Sequence, residues 1–159
     1  NDTTTGNNMK NVDKTNINEL MLGFEQICKS KGLRITHQRS EIFYELAKYP
    51  GHPTVENVFN QIRKHLKTIS LDTVYRTIAT FEEYNLVKRV QMLDNSARFD
   101  INLKVHHHLV CTRCKKIEDF YWPDFDQMKL PQSICNWGKI DLKNVVISGL
   151  CFRCSKKKK

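Results

Sequence analysis

The sequence lacks any apolar run that approaches the ~18 residues needed to cross a membrane. It also lacks a hydrophobic leader, since residues 1–16 are polar, and it contains no internal repeat. These absences predict a cytoplasmic protein without a membrane partner. The 40% hydrophobic content is still enough for a packed core, and 159 residues suit one ordinary domain or two small ones.

Acidic side chains are scarce: 17 Asp and Glu stand against 26 Lys and Arg, which gives a formal net charge of +9. The tail 155–159 supplies nearly half of that charge, and we expect it to be disordered and to add nonspecific affinity for DNA. Between residues 29 and 67, eight basic side chains accompany three acidic ones. This bias favours a surface that faces phosphates, although a solvated surface that binds nothing fits the charge equally well.

The first part of the chain has the pattern of a winged helix. Residues 1–14 show no apolar period and predict a mobile tail. A helix follows from Asn16, and three more are predicted to begin after the N-caps Thr36, Thr54 and Ser70. Two strands, Leu86 to Leu93 and Ala97 to Asn102, would form a hairpin around a turn at 94–96. Residues 15–98 are therefore predicted to be a winged-helix DNA-binding domain.

The last of these helices is the predicted recognition helix. Its outer face is expected to carry the candidate DNA contacts Thr73, Tyr75, Arg76 and Thr77. Arg can pair with guanine through two hydrogen bonds, and Tyr or Thr can contact a thymine methyl group or a phosphate. An ordinary surface helix is the alternative. Arg39, just inside the second helix, is a candidate phosphate contact or else one half of a surface ion pair.

Residues 99–154 change in character and predict a small α+β domain. Three strands are expected, at His107 to Cys111, Lys116 to Trp122 and Val145 to Leu150, with a short helix near Phe125 to Leu130. Such a unit has little core of its own and long strand edges. A homodimer would cover those edges and would supply the two-fold symmetry that a palindromic DNA operator requires.

Four of the six cysteines form two C-x-x-C pairs separated by 36 residues: Cys111, Cys114, Cys151 and Cys154. Four thiolates around one tetrahedral zinc ion make a closed, structural site. Disulfides or free thiols are the alternative, but nothing in the sequence directs the chain to an oxidising compartment. Cys28 and Cys135 have no nearby partner and are predicted to be buried or unattached thiols.

The histidines require a second site, because four sulfurs already saturate zinc. On a strand, His106 and His108 point to one face and His107 to the other. With the nearby carboxylates Asp100 and Asp119, the first pair could form a mixed site for Fe(II), Mn(II) or Zn(II). A structural or surface histidine pair is the alternative, and the extra imidazole of His107 leaves a different or additional metal possible.

In this order, the motifs resemble the ferric uptake regulator (Fur) family over about residues 16–154. The resemblance rests on Gly-Leu-Arg-Ile-Thr-His-Gln-Arg (32–39), His52-Pro53-Thr54, Thr73-Val74-Tyr75-Arg76, Arg98-Phe99-Asp100 and the His/Cys cluster. It implies a homodimeric, metal-responsive DNA-binding regulator, in which a winged-helix domain is hinged to a dimerisation domain.

The peroxide-sensing branch resembles the chain most. The family's regulatory ligands fall on His52, Asp100, His106, His108 and Asp119. Peroxide sensors typically have aspartate at the position of Asp119, where iron sensors have glutamate, and many iron sensors have a histidine where this chain has Trp137 or Gly138. The resemblance implies that bound Fe(II) reacts with peroxide and oxidises His52 or His106, which releases the metal and then the DNA. Pro131 falls within a helix of the family's dimerisation domain, and we predict that this helix is short or broken.

Two other functions compete with peroxide sensing. The first is an iron- or zinc-responsive uptake regulator without redox chemistry, on the same fold. The second is a hydrolytic metalloenzyme that uses the His/Asp site. Five protein ligands would leave little room for a substrate, and no general acid or base is conspicuous beside them, so the sequence does not favour an enzyme.

Overall fold

A computed structural model of the protein describes residues 14–90, 92 and 97–157. The chain divides into two compact units, of which the first reaches Leu103 and the second includes Lys104 and all that follows. The predicted tail before residue 14, the wing turn at 94–96 and the last two lysines lie outside the described residues. Within the described part of the chain, no helix is both long and apolar enough to pass through a membrane.

The first unit contains four helices and a hairpin. Its elements are α1 (Lys14–Ser30), α2 (His37–Lys48), α3 (Val55–Ile62), α4 (Leu71–Glu83), β1 (Lys88–Val90) and β2 (Arg98–Asp100). The two strands are antiparallel, and Arg89 lies opposite Phe99. This element order is the predicted winged helix.

Side-chain caps begin three of these helices, as predicted. The Thr36 hydroxyl accepts a hydrogen bond from the N–H of Arg39, and the Ser70 hydroxyl accepts one from the N–H of Thr73. Thr54 forms a reciprocal capping box, because its own N–H donates to the side chain of the third helical residue. Each cap satisfies a backbone donor that a helix would otherwise leave exposed and is worth roughly 1 kcal/mol.

Three phenylalanine rings centre the core of the first unit. The Phe24 ring of α1 stacks on the Phe43 ring of α2 with their centroids 4.5 Å apart. The Phe81 ring of α4 meets both of them edge-on, at 5.6 and 5.8 Å. These offset and edge-on contacts are the favoured arrangements of aromatic rings, and they fix α4 against the helices that precede it.

The wing strands are shorter than the sequence suggested. Leu86 and Val87 are buried with the helices, and both of their N–H groups point to the carbonyl oxygen of Phe81, at 2.8 and 3.4 Å. Asn85 takes a positive φ of 54° to allow this turn. These residues complete the C-terminus of α4, so their apolar pattern reflects helix capping and not strand alternation.

The second unit is built on a three-stranded sheet. Its elements are β3 (His107–Cys111), β4 (Ile117–Phe120), α5 (Pro123–Gln127), α6 (Gln132–Cys135), β5 (Val146–Gly149) and α7 (Phe152–Ser155). Strand β3 lies in the centre, antiparallel to β4 and parallel to β5. The described buried side chains are few: Val110, Cys111, Ile117, Cys154 and the histidines 106–108.

Proline interrupts the helical segment of this unit, as predicted. Helix α5 ends at Gln127, four residues before Pro131, and α6 begins directly after it at Gln132. The backbone of Pro131 is extended, with ψ at 143°. A proline inside a continuous helix would clash with the preceding turn, so the chain forms two one-turn helices instead.

Candidate functional sites

The four predicted zinc ligands come together in the second unit. Cys111 ends β3, Cys114 lies in the turn before β4, and Cys151 and Cys154 lie at the start of α7 and within it. Their four Sγ atoms all lie within 4.8 Å of one another, and the Sγ atoms of Cys114 and Cys151 are 3.8 Å apart. None of the four forms a disulfide.

The sulfur geometry and the chemistry of Cys111 both fit zinc. With Zn–S bonds of about 2.3 Å, tetrahedral geometry places the sulfurs about 3.8 Å apart, which matches the measured separation. Backbone N–H groups of Cys114 and Cys151 lower the pKa of Cys111 to about 6, and the N–H of Cys151 lies 3.4 Å from that sulfur. One ligand is therefore a thiolate near neutral pH, while burial raises the pKa of Cys154 to about 12.

The second unit also contains a histidine pair with a carboxylate. His106 and His108 are both buried, and their Nε2 atoms are 3.1 Å apart. Asp119 is the cross-strand neighbour of His108, and its Oδ1 lies 3.8 Å from Nε2 of His108 and 3.9 Å from Nε2 of His106. Two nitrogens bound side by side to one metal at about 2.1 Å are about 3 Å apart, so this pair fits a metal site.

The first unit holds the other two predicted regulatory ligands next to each other. His52 precedes the N-cap of α3 and Asp100 ends β2, yet His52 Nε2 lies 3.9 Å from Asp100 Oδ2, and both residues are buried. A backbone hydrogen bond of 3.0 Å from Phe99 to Pro53 joins the two segments. An imidazole and a carboxylate buried together suit a divalent cation of the first transition row.

His107 points to the opposite face of β3 and is fully buried. Its Nδ1 accepts a hydrogen bond of 3.2 Å from the N–H of Val145, so Nε2 carries the proton in the neutral ring. Nε2 lies 3.3 Å from a carboxylate oxygen of Asp126. The rings of Phe120 and Phe125 pack on the imidazole at 5.2 and 5.3 Å. His107 therefore ties β3 to α5 and to the start of β5.

The recognition helix α4 presents Tyr75 and Arg76 to solvent. Tyr75 is 46% exposed, and its hydroxyl donates a hydrogen bond to the carboxylate of Glu56 on α3. The Arg76 guanidinium is highly exposed and lies 3.8 Å from Asp72, one turn earlier. The Thr73 hydroxyl lies 2.8 Å from that of Ser70, so it belongs to the N-terminal cap of the helix.

Thr77 is not on the outer face where it was predicted. It is 9% exposed, and it falls on the buried stripe formed by Val74, Ile78 and Phe81. Positions separated by three or four residues share a helix face, so Thr77 follows Val74 into the core although its side chain is polar. It is no longer a candidate for contact with DNA.

Arg39 is held by a backbone carbonyl. Its Nη1 atom donates a hydrogen bond of 2.6 Å to the carbonyl oxygen of Arg34, in the loop before α2. This contact fixes part of the guanidinium and leaves its remaining donors available to a phosphate.

Sequence reasoning missed Glu56 and Asp126. Each lies far along the chain from the side chain it contacts, Tyr75 or His107. No spacing rule relates residues on different elements, and only the folded packing shows these contacts.

Comparison with known proteins gives a consistent result. The sequence profile of the ferric uptake regulator family matches residues 30–147. The chain is 34% identical to the peroxide operon regulator of Bacillus subtilis (strain 168) over 132 residues, which cover 83% of this chain and 91% of that protein. It is 32% identical over 127 residues to the peroxide-responsive repressor PerR of Staphylococcus epidermidis (strain ATCC 12228 / FDA PCI 1200), covering 79% and 84% of the two chains.

The fold is similar to that of the Helicobacter pylori ferric uptake regulator Fur, a protein described as having three functional metal binding sites. The TM-score is 0.73 at 22% identity, and the match covers 95% of this chain and all of that one (100%). This likeness confirms the predicted fold class, an N-terminal winged-helix domain followed by a small C-terminal α/β domain.

Proposed function

Because the chain belongs to the ferric uptake regulator family, we propose that it regulates transcription in response to peroxide, as a metal-loaded homodimer on DNA. The relatives named as peroxide regulators, at 32–34% identity over most of both chains, support this proposal. The basic bias of residues 29–67 is consistent with a DNA partner. A regulator of this kind would act in the cytoplasm, where its operator lies.

The observation that carries the proposal is the convergence of the His106 and His108 Nε2 atoms beside a carboxylate. We propose that the regulatory metal, Fe(II), Mn(II) or Zn(II), is bound by His52, Asp100, His106, His108 and Asp119. Ligands from both units would couple metal binding to the orientation of the DNA-binding domains. Matching two half-sites about 34 Å apart depends on that orientation.

His52 and His106 are the proposed targets of oxidation. Peroxide would be the two-electron oxidant: one of its oxygens would be added to an imidazole carbon and the other would leave as water, while bound Fe(II) would supply, and then recover, the electron that starts cleavage of the O–O bond. His106 is fixed in place, since its Nδ1 lies 2.8 Å from the carbonyl oxygen of Lys104. An oxidised imidazole is a poorer ligand, so the metal and then the DNA would be released. This order of events links peroxide to transcription.

The cysteine cluster has a separate, structural role in this proposal. Zinc bound by Cys111, Cys114, Cys151 and Cys154 would fasten the end of β3 to α7. The small buried core of the second unit makes such a cross-link valuable, because metal binding contributes directly to folding. This zinc would stay in place while the regulatory metal exchanges.

The DNA-facing surface is proposed to be the exposed side of α4 together with Arg39. Arg76 would read base edges, Tyr75 would contact a thymine methyl or a phosphate, and Arg39 would bind a phosphate. Thr73 lies in the first turn of α4, where its hydroxyl could donate to a phosphate. On this basis the first unit, which reaches Leu103, acts as the DNA-binding domain and the residues from Lys104 as the metal-binding dimerisation domain, instead of a division after residue 98.

Exposed apolar side chains in the second unit support the homodimer. Strand β5 is exposed along its whole length and forms one edge of the sheet. Val146, Ile147 and Leu150 are 39–48% exposed there, although all three are apolar. A second copy that covered this edge would bury both the apolar surface and the unpaired backbone groups.

The decisive experiment exposes the zinc-containing protein, loaded with Fe(II) or with Mn(II), to peroxide. Intact mass and peptide mapping would then locate any added oxygen, and DNA affinity would be measured on the same samples. We expect one oxygen atom on His52 or His106, together with loss of DNA binding, with Fe(II) alone. The Mn(II) sample is the matched control for oxidation at methionine and cysteine.

Two results would redirect the proposal. DNA binding that follows the metal, with no oxygen on either histidine, would favour the iron- or zinc-responsive regulator without redox chemistry. DNA binding that ignores the regulatory metal would contradict both regulators.

A further inference from the structure

Tyr75 of the recognition helix is held from outside that helix. Its hydroxyl donates to Oε1 of Glu56, which lies in the first turn of α3. The start of α3 is itself fixed by the capping box between Thr54 and Asn57. The contact thus joins a well-anchored helix start to an aromatic side chain that is 46% exposed on α4.

This hydrogen bond limits what the Tyr75 side chain can do. A phenol has one O–H to donate, and here it goes to Glu56, so the oxygen lone pairs and the ring remain for another partner. The bond also selects one of the two χ1 rotamers that a helix allows, since χ1 near +60° clashes with the preceding turn. An aromatic ring held in one rotamer loses less conformational entropy when it meets a base.

We propose that Glu56 is a positioning residue for sequence-specific DNA recognition, which fixes Tyr75 in the orientation that contacts a base. This inference rests on the proposed function, because it requires that α4 faces DNA. Glu56 also carries a negative charge on a surface that would approach phosphates, so it weakens binding to operator and other DNA alike. Its net effect is to raise the preference for the operator over other DNA, while total affinity is not increased.

The test compares the Zn,Mn-loaded wild type with Glu56→Ala, Glu56→Gln, Tyr75→Phe and the double variant Glu56→Ala/Tyr75→Phe. Two probes are used: a duplex enriched by the wild type from a randomised library, and a shuffled duplex of equal length and composition. The measured quantity is the ratio of the two affinities. Glu83→Ala is the matched charge control, because it removes an exposed acid at the C-terminal end of α4, whereas Tyr75 lies near the N-terminal end.

We expect Glu56→Ala to lower this ratio about twofold per protomer, hence about fourfold per dimer, because the second χ1 rotamer that a helix allows becomes available. Glu56→Gln keeps an oxygen that accepts from Tyr75, so the ratio should hold while affinity for both duplexes rises. In the Tyr75→Phe background, removal of Glu56 should leave the ratio unchanged. Glu83→Ala should leave the ratio at the wild-type value.

A readout in the free protein tests the contact without DNA. The hydrogen bond to Glu56 raises the pKa of Tyr75, so NMR titration of ¹³C-labelled tyrosine should show that pKa fall in Glu56→Ala and not in Glu83→Ala. If Glu56→Ala left the ratio of the affinities for the enriched and the shuffled duplex unchanged, the inference would be overturned. It would also be overturned if Glu56→Gln lowered that ratio as much as Glu56→Ala does. If the wild type enriches no sequence at all, the DNA-binding proposal itself fails, whatever the titration shows.

Discussion

The Nε2 atoms of His106 and His108 lie 3.1 Å apart, and the Nδ1 atom of His106 is 2.8 Å from the carbonyl oxygen of Lys104. A carbonyl can only accept, so Nδ1 of His106 must carry the proton and donate it. In the neutral ring this leaves a lone pair on Nε2, the atom that faces His108. The backbone of the second unit therefore prepares one imidazole as a metal ligand.

His106→Ala should lower the affinity for Mn(II) by at least about 10-fold, since loss of a direct ligand should cost no less than loss of a supporting contact. Zinc content should not change, because the four cysteines remain. Titration of the zinc-containing protein with Mn(II), followed by EPR, measures the first quantity and elemental analysis the second. His65→Ala is the control, because that exposed histidine pairs with Glu41 in the first unit. Equal Mn(II) affinities in both variants would remove His106 from the site.

Cys111→Ser should release the zinc and abolish the cooperative thermal unfolding of the second unit. Structural zinc contributes about 10–16 kcal/mol in small peptides, which is as large as the typical stability of a whole domain. Elemental analysis and calorimetry would measure the two effects. Cys28→Ala is the control: this cysteine lies in the core of the first unit, so the variant protein should retain the zinc bound by the other four cysteines. A Cys111→Ser protein with a wild-type melting transition would contradict the structural role.

Zinc affinity should increase with pH. All four thiols must be ionised to bind zinc, and with a pKa of about 12 Cys154 releases a proton on binding at any neutral pH. That residue alone gives about tenfold per pH unit. Cys111, with a pKa of about 6, adds a further proton only below that value, so the dependence should steepen there. Competition with a chromophoric chelator between pH 5 and 8 would show both slopes, and a flat profile would contradict the thiolate ligands.

Local chemistry explains which features could be predicted from the sequence. The N-caps Thr36, Thr54 and Ser70 act within three residues, and Pro131 breaks a helix through its own ring. Each C-x-x-C pair places two thiols at the spacing that is typical of zinc ligands, so the pair is recognisable in the sequence. The alternation of side chains along a strand predicts that His107 points to the face of β3 opposite to His106 and His108. It does not predict which residues the His107 side chain contacts.

The errors arose where a pattern had two explanations. The sequence predicts Thr77 on the outer face of α4, whereas the helix places it between Val74 and Phe81 in the core. Leu86 and Val87 alternate like a strand but finish the C-terminus of α4. The contact between Glu56 and Tyr75 depends on how α3 packs against α4, and nothing local in the sequence specifies it.

Arg76→Ala should weaken binding to the operator far more than binding to unrelated DNA. A side chain that pairs with a base edge is worth about 1–3 kcal/mol of discrimination, whereas a phosphate contact affects all sequences alike. Affinities for an enriched duplex and a shuffled one, at two salt concentrations, separate the two cases. Arg63→Ala is the charge control, because the Arg63 guanidinium packs on Phe59. This variant should keep the preference for the enriched duplex over the shuffled one. Equal losses on both duplexes would show that Arg76 contacts only phosphate.

His107→Ala should destabilise the second unit by about 2–4 kcal/mol, through a cavity between two aromatic rings and a buried N–H that loses its acceptor. The imidazole is fully buried, packs against Phe120 and Phe125, and accepts from Val145. Urea unfolding of the zinc-loaded protein would measure the loss of stability. Leu109→Ala is the control, since this neighbour on β3 is 39% exposed and should cost little. Because His107 faces away from His106 and His108, Mn(II) affinity per folded molecule should stay within a few-fold of wild type. A stable His107→Ala protein that binds less metal would instead make His107 a ligand, and the central strand would then carry metal ligands on both of its faces.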